Sequence, residues 1–217
     1  MNHPTETLTP SEAVELQKRL RDLVSRRWDG RKVSTIAAAD VHFPTREISR
    51  AALTVVSFPG LQQLETVVRD TATSFPYIPG LLSFREIPPI LETWKHLQTL
   101  PDLLLCDSHG TAHPRGLGMA SHLGITLGIP SIGCAKSHLF GRYEEPGPER
   151  GDRSPVSDRS GRIIGSVLRT RSGVRPVYVS PGHLIDLRTS IRFILACAPK
   201  YRIPVPLKMA HQAAGSR

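Results

Sequence analysis

The sequence predicts an α/β fold in which helices pack against a mixed β-sheet. Three observations carry that expectation. Short apolar runs of strand length recur along the chain. Three of them follow one another closely enough to form an antiparallel meander. The later runs alternate with helix-like segments, the order that layers helices on a sheet. At 217 residues the chain can bury a substantial core. No internal repeat or long low-complexity break divides it, so a single domain over 1–217 is expected.

Taken in order, Thr9 is placed to cap a first helix, Pro10 suits its first position, and Glu12 completes a capping box. Val14, Leu16, Leu20, Leu23 and Val24 continue a mostly helical stripe to about Arg27. VSTIAAADV (33–41), AALTVVSF (51–58) and LQQLETVVRD (61–70) read as the three meander strands. The stretch 73–89 is too rich in proline for a central strand, and a short helix is expected only after Pro88 and Pro89. LLLCD (103–107) reads as a buried strand, MASHLGITL (119–127) as a helix, and PSIGCAKS (130–137) as a strand with its exit loop. Residues 141–162 are polar and turn-rich, which predicts a surface loop or flexible insertion. IIGSVLRT (163–170) and RPVYVSPG (175–182) read as late strands, and DLRTSIRFILACA (186–198) as a helix opening on Asp186. The tail beyond it shows no long periodic element.

Lysine and arginine outnumber acids 28 to 19, a formal charge of +9. Clustered cations attract phosphates and release counterions, so a polyanionic partner is the natural inference, with a plain soluble basic surface as the alternative. Asp186 is the last acid. Arg188, Arg192, Lys200, Arg202, Lys208 and Arg217 follow it unopposed in sequence. The N-terminal MNHPTETLTP lacks a basic-then-apolar signal pattern, and no apolar run approaches membrane-spanning length. A cytoplasmic protein with no membrane partner is expected. Cys106, Cys134 and Cys197 form no CxxC pair, which favours reduced, mostly buried thiols over disulfides or zinc.

Two acids close apolar strands: Asp40 after TIAAA and Asp107 after LLLC. A carboxylate there is costly unless a charge, a metal or hydrogen bonds satisfy it. Two in one sheet invite a shared partner, and oxygen ligands suit Mg²⁺ or Mn²⁺. Such an ion could orient water and neutralise charge growing on a phosphate. Taken singly, each aspartate is equally an ordinary turn or helix cap. Glu86 in SFREIP is a third carboxylate, or a solvent-facing acid paired with Arg85. Lys136 follows the PSIGCA strand, where it could approach a phosphate or lie on the surface. His109 and His113 stand four apart in DSHGTAHPRGLG, but the glycines and proline there predict a loop rather than a zinc helix. Gly110, Gly116 and Gly118 permit close backbone approach to a ligand. Tyr77, between the prolines of FPYIPG, is either a packed loop aromatic or a stiff tip able to enter stacked bases. No GxxxxGK[ST] run and no GxSxG elbow occurs.

Together these segments resemble the endonuclease V family, the deoxyinosine-directed repair nucleases. The resemblance spans nearly the whole chain. It rests on AADVHF, PYIPGLLSFREIP, LLLCDSHGTAHPRGLGMASHLG, IPSIGCAKSHLFG and PVYVSPGH in this order. It implies a ribonuclease-H-like fold, a central mixed sheet flanked by helices. It further implies Mg²⁺-dependent hydrolysis, with Mn²⁺ as a substitute, of the second phosphodiester bond 3′ to deoxyinosine, leaving 3′-hydroxyl and 5′-phosphate ends. By the same resemblance Asp40 and Asp107 are the principal metal ligands, Glu86 completes the acidic centre, and Lys136 is the active-site lysine. Tyr77, with Pro76, Ile78 and Pro79, matches the wedge that parts the strands. Gly80, Leu82, Ser108, His109, Gly110 and His113 match the pocket for the displaced base. His211, in MAHQ, matches a C-terminal position near the metal. Members usually carry glycine where this chain has Ser108, a departure that bears on base preference rather than on cleavage. The implied partner is damaged DNA containing deoxyinosine, bound by a monomer. Inosine-containing RNA is the alternative substrate, and a non-catalytic nucleic-acid-binding protein is the rival from another class.

Overall fold

The computed structural model describes residues 8–215. The first seven residues of the N-terminal segment and Arg217 lie outside them. The first helix, α1 (Pro10–Arg21), opens on the expected capping box: Thr9 accepts from the Glu12 backbone, and the Glu12 carboxylate reaches back to the Thr9 N–H. It ends at Arg21, six residues before Arg27, with Asp22 as its C-cap. The buried row is Ala13 and Gln17 rather than the leucine-rich stripe. The chain then leaves the helix to run along the sheet, where the Ser25 N–H donates to His183 Nδ1.

The meander forms as read: β1 (Thr35–His42), β2 (Ile48–Ser57) and β3 (Gln63–Ala72) pair antiparallel. Next comes α2 (Leu82–Trp94), which corrects the expectation of a helix confined to residues beyond the prolines. Pro88 and Pro89 sit inside it. Neither ring nitrogen can donate to the preceding turn, a cost of about 3 kcal/mol or more for an interior proline. Burial of Phe84, Ile87 and Ile90 along one stripe, with Pro89 buried beside it, offsets that cost.

The remaining elements are β4 (Leu103–Cys106), α3 (Met119–Leu127), β5 (Ser131–Ala135), β6 (Arg153–Ser157), β7 (Ile163–Leu168), β8 (Val177–His183), α4 (Leu187–Cys197) and α5 (Val205–Gly215). All eight strands join one sheet in the order β3-β2-β1-β4-β5-β8-β7-β6. Only β1–β4 and β4–β5 are parallel. This is the mixed sheet flanked by helices that the resemblance implied.

Two further expectations fail. β6 lies within 141–162, so that segment contributes an edge strand as well as loop. Its loop is tied down by the buried Arg169, which donates to Gly147 O, Pro146 O, Val174 O and the Glu145 carboxylate. The tail also carries a helix, α5, with Leu207 and Ala210 wholly inside the core. Its short apolar set, interrupted by Lys208 and His211, gave a weak periodic signal.

Alternation along β1 splits the core between the two faces. Ile36 and Ala38 pack with α4 and α5, while Ala37 and Ala39 pack with α2 and α3. The three cysteines are buried and free. Among the described residues no helix is long and apolar enough to cross a membrane. Leu207 is 1% exposed and holds α5 to the sheet. Its replacement by alanine is expected to cost about 2–5 kcal/mol. Denaturant unfolding measures it, and a near-zero change would mean that α5 is not an integral part of the core.

Candidate active site

The last paired residues of the parallel β1–β4 ladder are Ala39 and Cys106. Asp40 and Asp107 come one step later. By the alternation, both fall on the face that α5 covers. Asp40 is not at a strand end, as the sequence suggested. β1 continues to His42 because its antiparallel ladder with β2 outlasts its parallel ladder with β4. The His211 imidazole from α5 meets Asp40, with Nδ1 2.9 Å from Oδ2. Lys136, just past β5, places Nζ 2.5 Å from Asp107 Oδ2. Ligand atoms of Asp40, Asp107 and His211 lie within 4.8 Å of one another.

Glu86 comes from α2, on the opposite face of the sheet. Burial first, and the charges of Asp40 and Asp107 next, push its carboxyl up to about 8. Arg85 does not pair with it. That guanidinium lies over the Phe43 ring and donates to Phe75 O. Asp40 is also raised above the ordinary carboxylate range, by burial most of all and by Asp107, against the lowering effect of His211 and Lys136. Crowded carboxylates of this kind are half-satisfied by nearby cations, and a hard divalent ion fits the same donor set.

Beside the carboxylates lies a cavity of about 440 Å³. Tyr77, Ile78, Pro79 and Gly80 form one wall, and Ser108, His109 and His113 form its floor. Leu82, Asp107 and Lys136 also line it. Gly110 and Pro76 do not. Gly110 serves packing: a Cβ there would lie 2.0 Å from Pro181 O. Tyr77 is 68% exposed, whereas Ile78 turns inward onto the cluster of Ala13, Phe75, Leu81 and Phe84. His109 donates from Nε2 to Ser137 O, and its Nδ1 is buried without a partner, as is Ser108 Oγ. Burial pushes both His109 and His113 down to about 4, so neutral rings face the cavity near pH 7.

Sequence reasoning missed three residues that brace this site. Gln17 and Arg115 hold the Gly80 carbonyl. Arg202, read only as a basic tail residue, donates to Lys136 O at 2.7 Å and to Pro176 O at 2.9 Å, fixing the lysine's backbone. Their partners are distant in sequence, and a polar residue in a helix row carries no signal of what it will meet. The one clue was Gln17 itself, four residues after Ala13 on the row that proves buried.

The sequence model for the endonuclease V family matches residues 16–212. Endonuclease V of Trichormus variabilis is 50% identical over 212 residues, 97% of this chain and 96% of its own. The crystal structure of endonuclease V from Streptomyces avermitilis superposes with a TM-score of 0.92 at 39% identity, covering 97% of this chain and 94% of that one. Ciona intestinalis endonuclease V, in complex with a 24mer DNA containing an inosine followed by a ribo-adenosine, gives a TM-score of 0.83 at 27% identity. The match covers 94% of this chain and 95% of that one.

The raised Glu86 carboxyl makes a signed prediction. An unfolded glutamate releases its proton near 4.5 and the folded Glu86 near 8. Between those values the unfolded state binds fewer protons, so stability falls as pH rises. In EDTA, Glu86→Gln is therefore expected to melt above the parent at pH 8, with the gap closing as pH falls toward 4.5. Parallel melting profiles for the two proteins would contradict this placement of the carboxyl.

Proposed function

The chain belongs to the endonuclease V family, and from that premise we propose that it incises DNA at deoxyinosine, hydrolysing the second phosphodiester bond on the 3′ side and leaving 3′-hydroxyl and 5′-phosphate ends. The observation that carries this reading is the adjacency of two features. The Asp40–Asp107–His211 group lies within 4.8 Å, and Asp107 also lines the cavity beneath Tyr77. A site for cutting a backbone thus adjoins a site able to receive one base.

Asp40 and Asp107, with Glu86 and His211 beside them, would hold Mg²⁺, or Mn²⁺ in its place. That ion supplies activation of water and neutralisation of charge growing on the phosphate. Lys136 brings a further positive charge to the same edge and orients groups by donating from Nζ, as it does to Asp107. The Glu86 carboxyl retains its proton near neutral pH until a cation enters, and His211 Nδ1 fixes one oxygen of Asp40.

At the cavity, the Tyr77 ring between Pro76 and Pro79 enters the stack and parts the strands, while Ile78 anchors the loop from within. The base leaves the helix, a step made cheaper where pairing is already weak. Gly80, Leu82, His109 and His113 then surround it, with Gly110 supporting the floor from behind. Neutral imidazoles and the Ser108 hydroxyl present donors and acceptors to a heterocycle without burying a charge. The Ser108 side chain narrows the floor relative to a glycine and offers a hydroxyl contact, so it bears on which base fits. The protein acts as a cytoplasmic monomer in this reading, and the excess of cations holds the backbone. The ribo-adenosine in the ligand of the Ciona protein makes inosine in RNA the second substrate to compare.

Replacing Asp40 or Asp107 with alanine is expected to lower cleavage by about a thousandfold or more, since the lost stabilisation is several kcal/mol. Much of the binding to an inosine duplex should remain. Retained Mg²⁺-dependent cutting in both variants would overturn the assignment. A cleavage map on duplex DNA carrying one deoxyinosine should show a cut one nucleotide removed on the 3′ side. Cleavage only at abasic or unmodified sites would count against the substrate.

A further inference from the structure

The loop that carries Tyr77 ends at Gly80, whose carbonyl meets the His113 ring and two further side chains. Gln17 Nε2 donates at 3.0 Å from α1, and Arg115 Nη2 donates at 2.5 Å from the loop before α3. The two donors are also joined to each other, Arg115 Nε to Gln17 Oε1 at 2.5 Å. Gln17 Nε2 has a second acceptor, Leu117 O, at 3.2 Å. Gln17 is only 1% exposed. A buried amide is costly unless its donors and acceptor all find partners, and here they do. The backbone agrees. Gly80 has φ +80°, and a Cβ there would lie 2.6 Å from Arg115 Nη2. A side chain there would both strain the backbone and push on the guanidinium that reaches that carbonyl. The apolar side of the same joint is the cluster in which Ala13 of α1 meets Phe75, Leu81 and Ile78.

We propose that Gln17 and Arg115 are positioning residues that clamp the Gly80 carbonyl, hold the Tyr77 loop rigid over the cavity, and so set how well the protein opens paired relative to unpaired nucleic acid. This rests on the reading of Tyr77 as the strand-parting tip. In a duplex the ring must displace a stacked base against pairing and stacking, and a yielding loop would retreat instead. On a single strand no partner strand has to be parted, so the clamp makes little difference there. Among the described residues neither hydrogen-bonds or ion-pairs with Asp40, Asp107 or His211, but Gln17 lines the cavity and Arg115 does not, so Arg115→Lys carries the single-strand comparison.

Gln17→Glu tests the clamp. It keeps the length of the side chain and the acceptor for Arg115, but offers no N–H to Gly80 or Leu117. Arg115→Lys is the second variant, since an ammonium cannot bridge Gln17 and Gly80 through one planar group. Both are compared with the parent on one inosine oligonucleotide, single-stranded and paired. A 2-aminopurine beside the inosine reports strand opening in EDTA, independently of cutting. In Arg115→Lys, loss of the charge-assisted guanidinium bridge predicts kcat/KM on the duplex lower by about tenfold and on the single strand within about twofold; Gln17→Glu, which loses two neutral amide bonds, predicts a fall on the duplex in the same direction. The fluorescence rise on duplex binding should shrink in parallel. Equal losses on both substrates with a lowered Tm would assign the pair a purely structural role and overturn the proposal. So would unchanged duplex opening in both variants. A parent that opens the duplex but cuts neither substrate would refute the cleavage reading, and the fluorescence would still decide the clamp.

Discussion

Asp40 and Asp107 stand one step past the last paired residues of two parallel strands, Asp40 still held in the β1–β2 ladder and Asp107 at the first step beyond β4. Their separation is thus set by the sheet rather than by side-chain choice. The cost of holding two carboxylates so close, with Glu86 nearby on the other side, falls on everything around them. His211 and Lys136 answer part of it from α5 and from the exit of β5. Burial first, and the neighbouring carboxylates after it, leave Asp40 and Glu86 raised. Buried, crowded carboxylates of this kind make a site receptive to a divalent ion, because binding one relieves a penalty already present.

Much of this was legible in the sequence, for a definite reason. Apolar runs ending in Asp40 and Asp107 are local patterns, and strand periodicity placed both acids at one edge. The cap at Thr9, the helix at 119–127 and the meander were equally local. What escaped was decided by tertiary burial. Pro88 and Pro89 argue against a helix until the apolar stripe on both sides of them is seen to be buried. The tail after residue 200 looks irregular until Leu207 and Ala210 find the core. Gln17, Arg115 and Arg202 act on backbone carbonyls far away in sequence, and carbonyls have no residue identity to read. The motifs behind the family resemblance carried the site residues further than the physical patterns alone could.

The first helix has two unlike tasks. Its apolar row closes a small satellite core, and its buried amide fixes a loop tip. The cavity wall is consequently held by elements from both ends of the α1–α3 region, and the carboxylates by the sheet. The cavity wall and the carboxylate group are mounted on separate supports, joined at Asp107 and Lys136, which pair with each other and line the cavity. A change in one support can therefore reshape the cavity without moving the carboxylates.

The contact between His211 and Asp40 joins residues 171 positions apart. β1 emerges from synthesis well before α5. A nascent chain consequently owns both aspartates long before it owns the imidazole between α5 and the sheet. Proteolytic removal of the stretch from Val205 onward would leave a molecule with the acidic pair intact but open to solvent on the face that α5 covers. For this topology, the face that carries Asp40 is closed only once α5 has been made and has docked.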